Sequence, residues 1–292
     1  RTRFVKRSVY DATGTAQTST NPNIGNAIYM TNANIGYTLF GTLQVQRQFK
    51  NLAVNASYTR QTAVDATING STAFTMWGAR PTGTDPNNFE AGFSNNYLPH
   101  RIIASVNYGK ELIKNTRTSI GLLYEASPNA PQSSLSYTYG GDINNDGFNG
   151  NDLIFVPKDA SQIKLTNASA VSGVADTRTQ TELWNQLDAF ISGNKYLNSR
   201  RGMMSERQAL VLPWVHRLDL NFTQDVYIKV KDTKHTLRFT ADIYNFTNFI
   251  SKELGTQRVP VTTTPLNFVK LDTDGKTPIF SFPYLDGKNK VP

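Results

Sequence analysis

The stretch Tyr37-Thr-Leu-Phe-Gly-Thr-Leu-Gln-Val-Gln-Arg-Gln-Phe49, continued by Leu52-Ala-Val-Asn-Ala-Ser-Tyr-Thr59, alternates apolar and polar side chains on both sides of a tiny turn at Phe49–Asn51. Leu39, Leu43 and Val45 oppose Thr42, Gln44 and Gln46; after the turn, Leu52, Val54, Ala56 and Tyr58 oppose Asn55, Ser57 and Thr59. A period of two places each set on its own side of a sheet, so the stretch reads as a β-hairpin. The unit recurs at His100–Ser127, turning near Lys114–Asn115, and at Trp214–Thr247, turning around Lys231–Lys234. Ile102, Ala104, Val106 and Tyr108 face away from Arg101, Ser105 and Asn107; Ile120, Leu122 and Tyr124 face away from Ser119, Gly121 and Glu125. Leu218, Leu220 and Phe222 oppose Arg217, Asp219 and Asn221, and Leu237, Phe239, Ala241 and Ile243 oppose Arg238, Thr240, Asp242 and Tyr244. Ile103 and Leu123 break the pattern.

Between these hairpins, placed at about 37–63, 100–127 and 214–247, lie long polar stretches at about 10–36, 64–99, 128–213 and 248–276. Short turns at one end and long loops at the other are the asymmetry of an outer-membrane barrel. The fold expected is all-β: a transmembrane antiparallel β-barrel with long extracellular loops and short periplasmic turns. A soluble antiparallel sandwich alternates in the same way, because one face packs on a core. Aromatic residues near strand ends on the apolar side (Tyr37, Phe49, Tyr58, Tyr108, Tyr124 and Trp214) favour interfacial girdles and the barrel. Tyr227, Tyr244 and Phe246 fall on the opposite parity and fit only if a bulge intervenes.

The bulk properties agree. Mean hydropathy is −0.42 and no apolar run approaches the length of a spanning helix. A barrel strand crosses with about ten tilted residues, every second one polar, so its average hydropathy stays low. Cysteine is absent, which removes disulfides, thiolate metal sites and cysteine nucleophiles. The net charge of +8 is scattered, with Lys195–Arg207 the nearest thing to a basic run, so no nucleic-acid partner is expected. The chain opens at Arg1 into β-like residues with no signal peptide and stops at Asp286–Pro292 without a closing strand, so both ends read as cut.

The hairpin words resemble a known family. Tyr37–Phe49 with Leu52–Thr59, then Leu98-Pro-His-Arg-Ile-Ile-Ala-Ser-Val106, then the block from Phe190 through Arg201-Gly202, Glu206-Arg207 and Pro213-Trp-Val-His-Arg-Leu-Asp-Leu220, and finally Phe239-Thr-Ala-Asp-Ile-Tyr-Asn-Phe-Thr-Asn248, are similar to the barrel of TonB-dependent outer-membrane receptors, closest to the Oar-like group of Bacteroidetes. The resemblance implies part of a twenty-two-stranded barrel in the outer membrane of a Gram-negative bacterium, lacking the plug, the TonB-contacting segment, the first half of the barrel and the last strand. It implies energy-coupled uptake of an unidentified ligand: capture at the extracellular loops, then passage once TonB, driven by the proton gradient, remodels the plug. Its partners would be outer-membrane lipid, the TonB complex through the plug region that this chain lacks, and surface lipoproteins. Two alternatives stand beside it: a barrel serving as a structural subunit of a surface-protein complex, and a soluble extracellular adhesin or glycan-binding sandwich.

The sharpest local motif is Asp142-Ile-Asn144-Asn-Asp146-Gly147-Phe148-Asn-Gly-Asn-Asp152. Oxygen ligands at alternate positions before a glycine suit calcium: Asp142, Asn144 and Asp146 by side chain, Phe148 by its carbonyl, and Asp152 closing the loop. Leu153 occupies the position where an EF-hand needs glutamate, and the flanks Leu135–Tyr139 and Leu153–Val156 read as strands, so the site expected is a Ca²⁺-stabilised hairpin loop; the alternative is a metal-free Asn/Asp/Gly turn. Asp272-Thr-Asp274-Gly275 repeats only the first half and reads as a turn. His100 and His216 precede Arg101 and Arg217 at equivalent places of two repeats, which points to repeat architecture at the extracellular rim rather than a metal; with His235 near a periplasmic turn, no pair has ligand spacing. No nucleophile elbow, P-loop, zincin helix or dinucleotide fingerprint occurs, and carboxylates such as Asp219 and Asp242 fit pairing with Arg217 and Arg238, so no enzyme is expected. Within Asp176–Ser199, the recurrence of Leu183, Trp184, Leu187, Phe190 and Ile191 predicts a helix ended by Gly193 that packs on neighbouring loops.

Overall fold

The computed structural model of the chain describes residues 2–7, 27–32, 34–66, 71–83, 90–128, 134–144, 146–170, 173, 175–285, 290 and 292, the first two segments by backbone alone. Its strands are β1 (Thr2–Arg7), β2 (Ala27–Asn32), β3 (Gly36–Gln48), β4 (Leu52–Asp65), β5 (Gly92–Phe93), β6 (His100–Lys110), β7 (Thr116–Pro128), β8 (Ser134–Leu135), β9 (Tyr139–Gly140), β10 (Phe155–Val156), β11 (Lys164–Thr166), β12 (Met203–Met204), β13 (Leu210–Val211), β14 (Trp214–Val230), β15 (Thr233–Ile243), β16 (Leu266–Leu271) and β17 (Pro278–Ser281). Helices are α1 (Ala73–Gly78), α2 (Gln180–Gly193), α3 (Lys195–Ser199) and α4 (Thr247–Ile250). Strand accounts for 46% of the chain and helix for 14%, so the protein is mostly β.

The three hairpins join into one antiparallel sheet in the order β15-β14-β7-β6-β4-β3, with short β5 added at the end of β4. All five ladders run without a register slip. The links at one end are short. Phe49 N–H donates to the Leu52 carbonyl at 2.7 Å to close the first turn, while Asn115 (φ 64°) and Lys231 (φ 54°) take the left-handed conformation that reverses the chain in the other two. Asparagine tolerates that region through local hydrogen bonding; lysine does so at a cost that the flanking ladder offsets. At the other end lie the long segments. The sheet terminates at β3 and at β15, each with one neighbour among the described residues, and it does not close on itself.

The long segments carry regular structure and a core as well as loops. At the end of the sheet opposite the short turns, the segments after β7 and after β15 fold together around their own core, in which Tyr137, Tyr139, Ile154, Val156, Leu183, Leu187, Ile191, Leu197, Leu266, Phe280 and Phe282 are buried, while the segment after β4 packs Trp77 in a smaller separate cluster. A mixed four-stranded sheet, β11-β17-β16-β9, carries part of that core. Helix α2 forms where predicted. Thr179 caps it, accepting from Glu182 N–H at 3.3 Å while the Glu182 carboxylate accepts from Thr179 N–H at 2.7 Å. Leu183, Leu187 and Ile191 recur every fourth residue, so one stripe is buried, and Asn194 follows Gly193 as the C-cap. Asn194 then caps α3 through Leu197 N–H and donates to the Tyr137 hydroxyl at 2.7 Å, locking the helix pair onto the core.

Other expectations need correcting. Leu135–Tyr139 and Leu153–Val156 form only the short ladders β8, β9 and β10 with single bridges between, because each edge strand there meets a partner for two residues before the chain turns away. The first long loop, expected over residues 10–36, lies outside the described residues up to position 26; residues 27–32 are strand, paired with β1. Asp272–Thr277, by contrast, is a turn as expected, with Gly275 at φ 66° and Asp274 accepting from the Lys276 and Thr277 amides.

Candidate functional site

The register assigns every side chain of the large sheet to one of two faces. Cross-strand partners share a face, so Leu43, Tyr58, Ile102, Ala126 and His216 lie in one row, and Val45, Ala56, Ala104, Tyr124 and Leu218 in the next. Val54, Val106, Leu122, Leu220 and Ile243 continue the same surface, as do Tyr108, Ile120 and Phe222. The apolar sets of all six long strands therefore fuse into one face. Neither hydrophobic cluster of the protein takes a buried member from it. Leu43 is 71% exposed and Phe239 57%, against 0% for Leu183 in the cap.

The opposite face is polar and internally bonded. Arg101 donates to Glu125 at 2.7 Å, Arg217 bridges Glu125 and Asp219 at 3.4 and 3.3 Å, and Arg238 grips Asp225 through two hydrogen bonds of 2.6 and 2.9 Å. Thr42 with Thr59 and Gln44 with Asn55 add neutral cross-strand bonds at 2.8 and 2.9 Å. All carboxylates of the long strands, Asp65, Glu125, Asp219, Asp225 and Asp242, lie on this face. The apolar face has none. Its basic side chains sit only near the strand ends: Arg60, His100 and His216 on the cap side, Arg47, Lys110 and His235 on the short-turn side.

On the cap side an aromatic row crosses four strands. The Tyr58 hydroxyl lies 2.7 Å from His100 Nδ1, and the Tyr124 hydroxyl lies 2.7 Å from His216 Nδ1, the same diagonal contact at the two successive junctions between hairpins. Trp214 stands between, 5.7 Å from the His100 ring and 6.2 Å from the His216 ring. Sequence reasoning placed both histidines at equivalent positions but missed their tyrosine partners, whose shared parity with the apolar set was the available signal. Tyr227 stays on the polar face with no bulge, and the Lys234 ammonium sits 3.5 Å over its ring.

The loop expected to hold calcium is built from side-chain-to-backbone bonds. Asp142 accepts from the Asp146 and Gly147 amides at 3.0 and 2.8 Å, Asn144 from the Asp146 amide at 2.9 Å, and Asp146 from the Phe148 amide at 2.9 Å. Asp152 accepts from Ile143 N–H at 2.8 Å and from the Asn144 side-chain amide. Gly147 at φ 90° makes the sharp turn. Burial pushes the Asp152 carboxyl up to about 6, and the neighbouring Asp146 and Asp142 push in the same direction. Asp142, Asp146 and Asp152 thus share one loop, but among the described residues no group of three His, Asp or Glu side chains is disposed to hold a metal.

The basic run 195–207 serves the cap's attachment. Arg201 pairs with Asp188 at 2.7 Å, and the buried Arg207 donates to Asp65 Oδ1 at 2.7 Å and to the Gly92 carbonyl at 3.1 Å, tying the cap to the ends of β4 and β5. Beside it a cleft of about 450 Å³, lined by Arg80, Thr82, Phe93 and Glu206, opens between cap and sheet. No helix among the described residues is long and apolar enough to cross a membrane, which says nothing of strands. No protein-family model, curated protein or solved structure matches this chain.

Proposed function

We propose that this sheet is part of the wall of an outer-membrane β-barrel of the TonB-dependent receptor type, and that the cap is its extracellular ligand-gathering surface. The observation that carries the reading is the register: it fuses every apolar set into one uncovered face and puts every carboxylate on the other. In water that much apolar surface would be covered by a second layer, as in a sandwich. Here no described residue supplies one, and hydrocarbon is the solvent such a face fits.

The dimensions agree. From His100 to Lys110 is ten steps, about 34 Å at roughly 3.4 Å per residue, and a tilt near 40° reduces the span to about 25 Å, the height of the apolar band of such barrels. The Tyr58, Tyr124 and Trp214 row at one end and Tyr108 with Phe49 at the other fit the two interfacial girdles. The polar face, with its Arg–carboxylate ladder, suits a wet lumen. In lipid the unpaired N–H and C=O groups along β3 and β15 would need partners, which further strands of the barrel would provide.

Energy-coupled uptake through TonB rests on the family resemblance. The folded cap favours a second reading equally well, a barrel that holds surface partners without importing anything. Calcium in the Asp142–Asp152 loop is compatible with either: a cation there would offset the burial, and then the like charges of Asp146 and Asp142, that raise Asp152.

The test is partition. The chain is expected to stay in the membrane fraction through alkaline carbonate and to need detergent for release. Release into aqueous buffer as a monodisperse species would overturn the membrane reading. Ligand-dependent protection of the cap in hydrogen exchange would separate uptake or docking from a purely structural role.

A further inference from the structure

We propose that Arg60, held in place by His100 and framed by the rings of Tyr58 and Trp214, binds the phosphomonoester headgroup of an anionic outer-leaflet lipid. The inference rests on the membrane reading and adds a specific ligand to it.

The geometry begins with the hydrogen bonds of the His100 ring. Arg60 Nη1 lies 2.5 Å from His100 Nε2, and a guanidinium can only donate, so Nε2 is the acceptor. The ring proton of neutral His100 therefore sits on Nδ1 and points at the Tyr58 oxygen 2.7 Å away. The imidazole is held from both sides, and Tyr58 and Trp214 flank it at 6.0 and 5.7 Å. Arg60 is exposed, and one of its five donors is spent on the imidazole. The rest of its fork is open to an oxyanion that accepts two parallel bonds, the arrangement in which arginine recognises phosphate.

Among the described residues no anion competes. The face carries no strand carboxylate, and Arg60 makes no ion pair with a described acidic group. The charge complement therefore comes from outside the described residues. At this height on a lipid-facing wall, level with the aromatic row, headgroup phosphates are the anions in reach. The protein also contains its own comparison. The second Tyr–His pair, Tyr124 with His216, has Ala126 where the first has Arg60, two residues after the tyrosine on the same face. One pair has a cation beside it and the other does not.

The experiment uses the whole chain in phosphatidylcholine nanodiscs, with and without a minority of phosphatidic acid, read by imidazole ¹⁵N shifts and by lipid retained in native mass spectrometry. Phosphatidic acid is expected to shift His100 and leave His216 unmoved, and Arg60→Gln is expected to weaken retention about tenfold, as loss of a charge-assisted fork implies. Arg60→Lys, which keeps the charge but loses the fork, is expected to fall between. Retention within about twofold of the parent in Arg60→Gln, below the loss of a single hydrogen bond, would overturn the proposal. So would equal shifts with phosphatidylcholine alone, or an equal His100 shift produced by inorganic phosphate at matched concentration, which would make this an aqueous anion site. Failure of the chain to enter either kind of nanodisc would sink the membrane reading itself, and is seen as absent incorporation rather than lost discrimination.

Discussion

Arg178 and Asp176, two residues apart, face each other as a two-pronged pair with side chains 5% and 0% exposed: Nε donates to Oδ1 at 2.8 Å and Nη2 to Oδ2 at 2.7 Å. The guanidinium also donates to the Phe282 carbonyl and lies 4.1 Å over the Tyr284 ring, so it ties the entry to α2 to the last strand of the cap. Its hydrogen bonds hold the Asp176 carboxyl well below the usual carboxylate range. A folded-state value below the unfolded one means that this contribution is present above the ordinary carboxylate range and is lost as pH falls. Replacing Arg178 by Met strands a buried carboxylate, and the expected loss is about 3–5 kcal/mol of cap stability. Thermal unfolding followed by Trp184 fluorescence measures it. The pair Asp176→Asn with Arg178→Met should recover much of the loss; if the double variant is no better than the single, the cost lies in lost packing on Tyr284 instead.

Asp152 behaves in the opposite sense. Its folded value of about 6 lies above the ordinary 3.8, so the folded state binds the extra proton and this group makes the protein more stable as pH falls from about 6 towards 4. Two pKa steps correspond to about 3 kcal/mol at most. Asp152→Asn is expected to flatten the pH dependence of the melting temperature in that window. Calcium, if the loop holds it, favours the ionised carboxylate and should reverse the slope. A melting curve unmoved by Ca²⁺ at every pH would remove the metal from the loop and leave a turn maintained by its Asp and Asn side chains.

What could be read from sequence follows how local each interaction is. The alternation around Leu43 or Leu220, and the Thr179–Glu182 box with Leu183, Leu187 and Ile191 behind it, are settled within a dozen residues, so strands and helix were legible. The cap core was not, because Tyr137, Ile154, Leu197, Leu266 and Phe282 come from stretches whose separate patterns look polar and irregular. The Tyr58–His100 contact spans 42 residues and exists only because β4 and β6 pair in one register out of several. Arg207 looked like one more residue in a basic run; its burial against Asp65 and Gly92 depends on where the cap meets the sheet. Tyr227 was expected to need a bulge because girdle aromatics face lipid, whereas an ammonium over its ring satisfies it on the polar side.

The cap core predicts a separable stability. Leu187 is fully enclosed in it, and Leu187→Ala is expected to cost about 2–5 kcal/mol. The loss should appear in hydrogen exchange of α2 and of β16–β17, with the amides of β6, β7 and β14 unchanged, because none of those strands contributes a buried residue to that cluster. Equal loss of protection in both regions would show that cap and sheet unfold as one unit.

The two faces of β14 give the sharpest test of what surrounds the sheet. Leu220 lies between Leu122 and Ile243 at the middle of the apolar face, and Asn221, its neighbour, points the other way beside Asp242, to which it donates at 2.6 Å. In a bilayer, Leu220→Arg places a charge near the midplane and is expected to cost about 2–4 kcal/mol, whereas a charge on the lumen side costs little. Asn221→Arg, with Asp242 at hand, should be close to neutral. Denaturant titration in phospholipid vesicles measures both. Similar small costs for the two variants would mean that Leu220 meets water, and a wall facing lipid could not be kept.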